Sequence, residues 1–140
     1  MYLKKIYLEN ITCFEKLSIE LNNSNNSGLF SLFLGDNGVG KTTLLRCIAL
    51  GMCNESGAAA LVRELQGDLV RIQGDQYNSI IELELYESNP NKTVTIRTEI
   101  TETGSGDIEL SQRTWPKNNF PWEKIFLCGY GSWRGKYEHQ

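Results

Sequence analysis

The sequence predicts an α/β fold with a mixed β-sheet, formed by a single domain that spans residues 1–140. Three observations support this prediction. Two segments near the N-terminus alternate apolar and polar residues, an apolar run then leads through a glycine-rich loop into a helical pattern, and two more alternating segments follow. Because antiparallel hairpins surround the strand, loop and helix, a simple doubly wound sheet of alternating strands and helices is disfavoured.

The chain begins with a predicted β-hairpin. Residues 2–10 alternate imperfectly between apolar and polar side chains, whereas residues 14–21 place Leu17, Ile19 and Leu21 on one face. This period of two is typical of a half-buried antiparallel strand. The short bend between the two segments makes a hairpin the simplest connection.

The next unit is a strand, a glycine-rich loop and a helix. The apolar run at residues 29–34 precedes residues 35–43, which read Gly-Asp-Asn-Gly-Val-Gly-Lys-Thr-Thr. This loop satisfies the Walker A pattern G-x-x-x-x-G-K-[ST]. A helix is predicted over residues 41–53. Its predicted buried stripe consists of Leu44, Leu45, Ile48 and Met52.

The loop is predicted to bind ATP with Mg²⁺. Its glycines allow positive φ angles and a close backbone approach to phosphate, while the helix start adds its positive dipole end. Lys41 reaches the β- and γ-phosphates, the Thr42 hydroxyl is the Mg²⁺ ligand, and Thr43 braces the helix. The alternative is a plain glycine-rich turn. The predicted nucleotide-contacting residues are Gly35, Asp36, Asn37, Gly38, Val39, Gly40, Lys41, Thr42 and Thr43.

The second half of the chain is predicted to be mostly β. A short helix over residues 57–67 precedes two alternating strands at residues 79–86 and 93–100, and turn-forming residues between these strands indicate a hairpin. Residues 108–112 are predicted to add a short strand. The apolar run at residues 124–128 is typical of a buried central strand.

Composition excludes several classes of protein. The net charge of −3, from 14 Lys and Arg against 17 Asp and Glu, gives no general attraction to nucleic acid or anionic membranes. The chain has no apolar run near the ~20 residues that a membrane span requires, so we expect a cytoplasmic protein without membrane association. The cysteines form no Cys-x-x-Cys pair and are predicted to be reduced packing residues. They are Cys13, Cys47, Cys53 and Cys128.

The order of these elements resembles the ABC-type ATPase heads of the SMC, RecF and RecN group. It also resembles the related AAA-type ATP-binding proteins of bacterial anti-phage systems, including OLD-like and Septu or retron types. The group opens with Leu-x-Asn-Phe-[Arg/Lys]-x-Phe, which this chain matches at Leu8, Asn10 and Phe14. Ile11 and Thr12 depart from the pattern, and Thr12 stands where the family often carries a basic residue near the nucleotide.

Two later segments add to the resemblance. The hairpin at residues 79–100 resembles the family's β arm, which flanks the base of the nucleotide. The segment Gly-Tyr-Gly-Ser-Trp-Arg at residues 129–134 resembles the Tyr-Gly-x-x-Arg segment of the anti-phage group. That likeness implies that Arg134 approaches the nucleotide or the facing protomer, with a solvated turn arginine as the equally weighted alternative.

The resemblance implies the N-terminal lobe of a longer ATPase. A downstream aspartate–glutamate pair, a signature helix and a switch histidine complete the family's head, and these 140 residues contain none of them. The implied function is ATP binding and head dimerisation, with Asn37 facing the partner, coupled to DNA handling or anti-phage defence. Implied partners are a second copy or a complementary C-terminal lobe, an effector protein, and DNA only through the full protein. The alternatives are a non-hydrolysing nucleotide sensor and an ABC transporter ATPase subunit.

Overall fold

The computed structural model describes residues 2–11, 14–21, 41–64, 78–86, 93–103, 107–115, 120 and 122. Its helices and strands are β1 (Tyr2–Ile11), β2 (Phe14–Glu20), α1 (Lys41–Gly51), α2 (Glu55–Glu64), β3 (Asn78–Tyr86), β4 (Thr93–Glu102) and β5 (Ile108–Trp115). The described strands form one sheet in the order β2-β1-β3-β4-β5. The α/β class, the N-terminal hairpin, the helix after the glycine-rich loop and the antiparallel β arm are therefore confirmed.

The N-terminal hairpin and the β arm belong to the same sheet. β1 pairs with β2 on one side and with β3 on the other, and it carries one register shift between Leu3 and Lys5. The separate hairpin patterns did not predict this pairing, because the two strands are distant in the sequence. Every described pairing is antiparallel. The predicted strands at residues 29–34 and 124–128, which would make the sheet mixed, lie outside the described residues.

One face of the sheet holds the core. In β3 and β4 every second side chain is buried, because successive residues of a strand point to opposite faces. Rows of apolar side chains cross the sheet, as in the set Ile6, Leu83 and Ile96, which lie opposite one another on adjacent strands and are fully buried. Burying each such side chain is worth about 1.5–3 kcal/mol, so this face is the main source of stability.

Helix α1 covers the centre of the buried face and contacts β3 and β4. Its buried side chains include Leu44, Cys47 and Leu50, and Ile48 packs against the same core. The prediction that Leu45 is buried was wrong, since that side chain is 53% exposed. A residue one position after Leu44 lies about 100° around the helix, which turns it away from the sheet.

Helix α2 begins earlier than the sequence predicted. Asn54 caps it, because the Asn54 Oδ1 atom accepts a hydrogen bond of 2.9 Å from the Gly57 backbone N–H. The helix therefore starts at Glu55 and not at residue 57; it ends at Glu64, and residues 65–67 lie outside the described ranges. Strand β5 extends three residues beyond its predicted end at residue 112.

Two of the four cysteines are described. Cys47 is buried, Cys53 is half-buried, and neither forms a disulfide. Their packing role is confirmed, since both lie in or against the core. Cys13 and Cys128 lie outside the described residues. The core also receives Phe120 and Trp122, whose ring centroids are 4.6 Å apart.

Candidate functional site

The first turn of α1 is the described part of the predicted phosphate site. The helix starts at Lys41, where the motif places it. Thr42 is exposed, Thr43 is half-buried and Leu44 is buried, so the Thr42 hydroxyl is on the accessible side of the turn. The remaining predicted positions lie outside the described residues. They are the Lys41 side chain and Gly35, Asp36, Asn37, Gly38, Val39, Gly40 and Arg134.

The two helices differ in the side chains that offset the positive dipole end at their N-termini. Helix α2 has a capping side chain and an acidic residue, Glu55, in its first turn, which together satisfy backbone N–H groups and the positive dipole end. Helix α1 has no acidic residue in its first turn. The positive dipole end of α1 is therefore not offset by an acidic side chain of its own first turn, and such a helix start favours an external anion such as a phosphate group.

The far end of α1 is held close to the sheet by a glycine. A Cβ atom built on Gly51 would lie 2.8 Å from Leu83 Cδ1 and 2.9 Å from Ile81 Cγ2. Both neighbours are fully buried in β3. Only a residue without a side chain lets the helix backbone approach β3 this closely, so Gly51 sets the distance between α1 and the sheet.

The turn between the helices is tied to β5. The Gln112 Nε2 atom donates hydrogen bonds to the Cys53 carbonyl at 2.8 Å and to Thr98 Oγ1 at 3.2 Å. The Cys53 thiol donates to the Ala49 carbonyl at 3.3 Å, and burial raises the pKa of this thiol. Gln112 thus links the C-terminal end of α1 to the edge of the sheet.

The N-terminal hairpin is linked to β3 by buried polar groups. Asn10 has a φ angle of 55°, a left-handed conformation that asparagine tolerates better than most residues. Its Nδ2 atom donates to the Asn78 carbonyl at 2.8 Å, and its own carbonyl accepts a 2.6 Å hydrogen bond from Ser79 Oγ. Asn10 is the asparagine of the opening motif, so the structure assigns this motif position an architectural role between β1 and β3.

The outer face of the sheet is charged and solvated. Lys4 Nζ lies 3.1 Å from Glu84 Oε1 and 5.1 Å from the Tyr86 ring centroid, and Arg97 lies 2.9 Å from Glu82. The Glu84 carboxylate raises the pKa of Lys4, chiefly through this hydrogen bond. All of these ion-paired side chains are about one-third exposed, so they form a solvated face.

The sequence did not indicate the supporting roles of Gly51, Gln112 and Ser79. Gly51 lay inside the helix predicted over residues 41–53, which in the structure ends at Gly51. Ser79 falls in the buried row of β3, whose other members are apolar, and this could have indicated its role. That signal requires knowing which face of β3 is buried.

The described ranges contain no cluster of three or more His, Cys, Asp or Glu side chains placed to hold a metal ion. Within the same ranges, none of the helices has the length and apolar character needed to cross a membrane.

A family model described as an AAA domain matches residues 5–124. The chain belongs to the AAA domain family. The matched region contains the glycine-rich loop, both helices, β2 to β5 and most of β1. This AAA domain is accordingly an ATP-binding, ATPase-like unit, and the sheet and helices described above are its scaffold. Arg134 lies beyond the matched residues.

Proposed function

We propose that this AAA domain is the ATP-binding lobe of an SMC- and RecF-like ATPase, in which nucleotide binding and head dimerisation are coupled to DNA handling or anti-phage defence. One observation carries the proposal. The phosphate-loop motif at residues 35–43 runs directly into α1 at Lys41, and the first turn of α1 exposes Thr42 and has no acidic residue. Membership of the AAA domain family supports the ATP-binding part of the proposal.

The proposed roles follow from the chemistry of the motif. The glycines of the loop form a nest of backbone N–H groups around the phosphates, and Lys41 supplies a positive charge to the β- and γ-phosphates. The exposed Thr42 hydroxyl is a hard oxygen ligand suited to Mg²⁺, which keeps most of its other ligands from water and phosphate. Bound Mg²⁺ would neutralise charge on the phosphates. Asn37 is proposed to face the partner protomer.

Substitution of the motif lysine tests the site. Lys41→Ala removes a charge-assisted contact worth about 1.5–3 kcal/mol, so the affinity for Mg²⁺-ATP falls at least about tenfold. Isothermal titration calorimetry measures this change. Lys16→Ala is the matched control, because Lys16 is an exposed lysine of β2 whose ion pair with Glu9 is long, at 3.9 Å. Equal affinity of wild type and Lys41→Ala would refute the assignment.

Phosphate release separates an ATPase from a nucleotide sensor. The chain is mixed with Mg²⁺-ATP, and inorganic phosphate is measured over time. Release above background that disappears in Lys41→Ala supports turnover and eliminates the sensor. Retained ATP binding without any release supports a sensing module, since phosphoryl transfer needs a group that positions the attacking water.

DNA handling is proposed for the full protein and not for these residues. With a net charge of −3 the chain has no overall positive charge to attract the phosphates of DNA. A fluorescence titration with duplex DNA at low salt should therefore show no strong binding. Tight binding that weakens steeply with added salt would contradict this part of the proposal.

A further inference from the structure

Strand β5 forms one edge of the described sheet. Among the described strands it pairs only with β4, and alternate side chains along it are exposed. An edge strand presents unpaired N–H and C=O groups that favour pairing with another strand. The exposed side chains of β5 are Ile108, Glu109, Ser111, Arg113 and Trp115.

The hydrogen-bond phase of β5 shows which backbone groups point to the open edge. The Thr103 N–H donates to the Asp107 carbonyl at 2.7 Å, just before the β4–β5 ladder begins. Since hydrogen-bonded and non-hydrogen-bonded pairs alternate along an antiparallel ladder, the odd-numbered residues of β5 bond to β4. The even-numbered residues point their N–H and C=O groups outward. They are Ile108, Leu110, Gln112 and Thr114.

The outer face of this edge carries two arginines that face each other, together with the acidic residues Glu99 and Glu109. Arg97 of β4 lies directly opposite Arg113 of β5, and like charges in opposed positions are destabilising. Glu82 bonds to Arg97 at 2.9 Å. Within the described part of the chain, neither Arg113 nor Glu109 has an oppositely charged group within 4 Å. The two charges are symmetric about Ser111, each two positions away.

We propose that two copies of this chain pair antiparallel through β5 about a two-fold axis at Ser111. Glu109 of each copy then faces Arg113 of the other, so each arginine pair gains an acidic neighbour. The hydrogen-bond phase agrees with this register, because Leu110 faces Gln112 of the second copy and both carry outward backbone groups. The charge pairs fall at non-hydrogen-bonded positions, where facing Cα atoms are only ~4.5 Å apart.

The ends of β5 fit the same register. Ile108 and Trp115 are 36% and 43% exposed, which is high for large apolar side chains. Ile108 would face Thr114 of the second copy, so pairing covers part of this exposed apolar surface. Helix α2 leaves an open groove of about 160 Å³ along the inner face of the edge, next to Ile108. The helix therefore does not seal this end of the strand.

Charge reversal tests the pairing without nucleotide. Sedimentation velocity at low salt should show a concentration-dependent dimer. Glu109→Arg or Arg113→Glu alone replaces both attractive contacts by like-charge contacts and should raise the dimer dissociation constant about tenfold or more. The double variant, which swaps the two charges, should restore the dimer, and an equimolar mixture of the two single variants should form a heterodimer. The matched control, Glu15→Arg on the opposite edge strand, should leave the dimer unchanged.

A second variant addresses the backbone. Thr114→Pro removes an N–H group that points to the open edge, while the β4 ladder uses the odd-numbered residues. It should weaken the dimer without lowering the unfolding temperature by more than a surface substitution does. Lys41→Ala should still form the β5 dimer. This result would distinguish the β5 dimer from any dimer that forms around ATP. A chain that stays monomeric, or a dimer that ignores both charge reversals, overturns the proposal.

Discussion

Gly51 offers the sharpest test of how α1 is positioned. Replacing it with alanine adds one methyl group between α1 and β3. That atom would lie 2.8 Å from Leu83 Cδ1 and 2.9 Å from Ile81 Cγ2, whereas carbon atoms in favourable contact are about 3.5–4.0 Å apart. Both neighbours are fully buried, so neither side chain can move into solvent.

Two opposing effects determine how much Gly51→Ala changes the free energy of unfolding. Overpacking of a filled core costs about 1–3 kcal/mol. Alanine gains up to ~1 kcal/mol over glycine in a helix interior, but Gly51 is the last residue of α1, where that gain is smaller. We therefore expect Gly51→Ala to lower the free energy of unfolding by about 1–2 kcal/mol.

Urea denaturation followed by circular dichroism measures this change, with Gly57→Ala as the matched control. A Cβ atom on Gly57 would have its closest contacts, at 3.3 Å, with Asn54 Oδ1 and Cys53 Cβ, so it overlaps much less. The propensity gain then dominates, and this variant should be equally or more stable than wild type. A Gly51→Ala protein at least as stable as wild type, with an unchanged denaturant slope, would refute the account of α1 packing.

Three further predictions follow from the polar contacts. Asn10→Ala should lower the free energy of unfolding by about 2 kcal/mol, because alanine tolerates a φ of 55° poorly and lacks the amide donor. Asn10→Gly should lower it less, and thermal unfolding of the two variants compares them. Gln112→Met leaves the Cys53 carbonyl without this donor and should lower stability by about 1–2 kcal/mol in urea titrations. The pKa of Lys4 is raised by Glu84, so their interaction stabilises the fold below the ordinary lysine pKa and is lost as the pH rises through the raised pKa. The small stability difference between wild type and Lys4→Met should therefore shrink over that pH range.

The pattern of residues within a segment was sufficient to predict the strands and the helix start whose structure depends mainly on that segment. The alternation of residues 79–86 and 93–100 predicted β3 and β4 within two residues, because every second side chain of both strands meets the same core. The motif likewise placed the start of α1 at Lys41, since the turn chemistry of the loop requires a helix to follow it.

Long-range contacts were not predictable from such patterns. The pairing of β1 with β3 joins segments about 70 residues apart, and side-chain hydrogen bonds of Asn10 and Ser79 link the two strands at one end. The exposure of Leu45 was not predictable for the same reason. Several positions of α1 are apolar, and the position of the sheet relative to the helix determines which of them are buried. Of the site itself, the sequence predicted the helix start at Lys41 but not the contacts that hold the other end of that helix, and the predicted loop at residues 35–40 lies outside the described residues.

Those contacts bear on function through the rigidity of α1. Gly51 lets the C-terminal end of α1 pack closely on β3, and Gln112 binds the turn that follows, so this end of the helix is held against the sheet at two points. A helix held in this way keeps its first turn in a constant position, and a phosphate site gains affinity when its donors are ordered before the ligand arrives. Gln112 also lies on the edge strand, with its backbone groups at the open side. Gln112→Met therefore removes a contact of the turn after α1 while the phosphate-loop motif keeps its sequence.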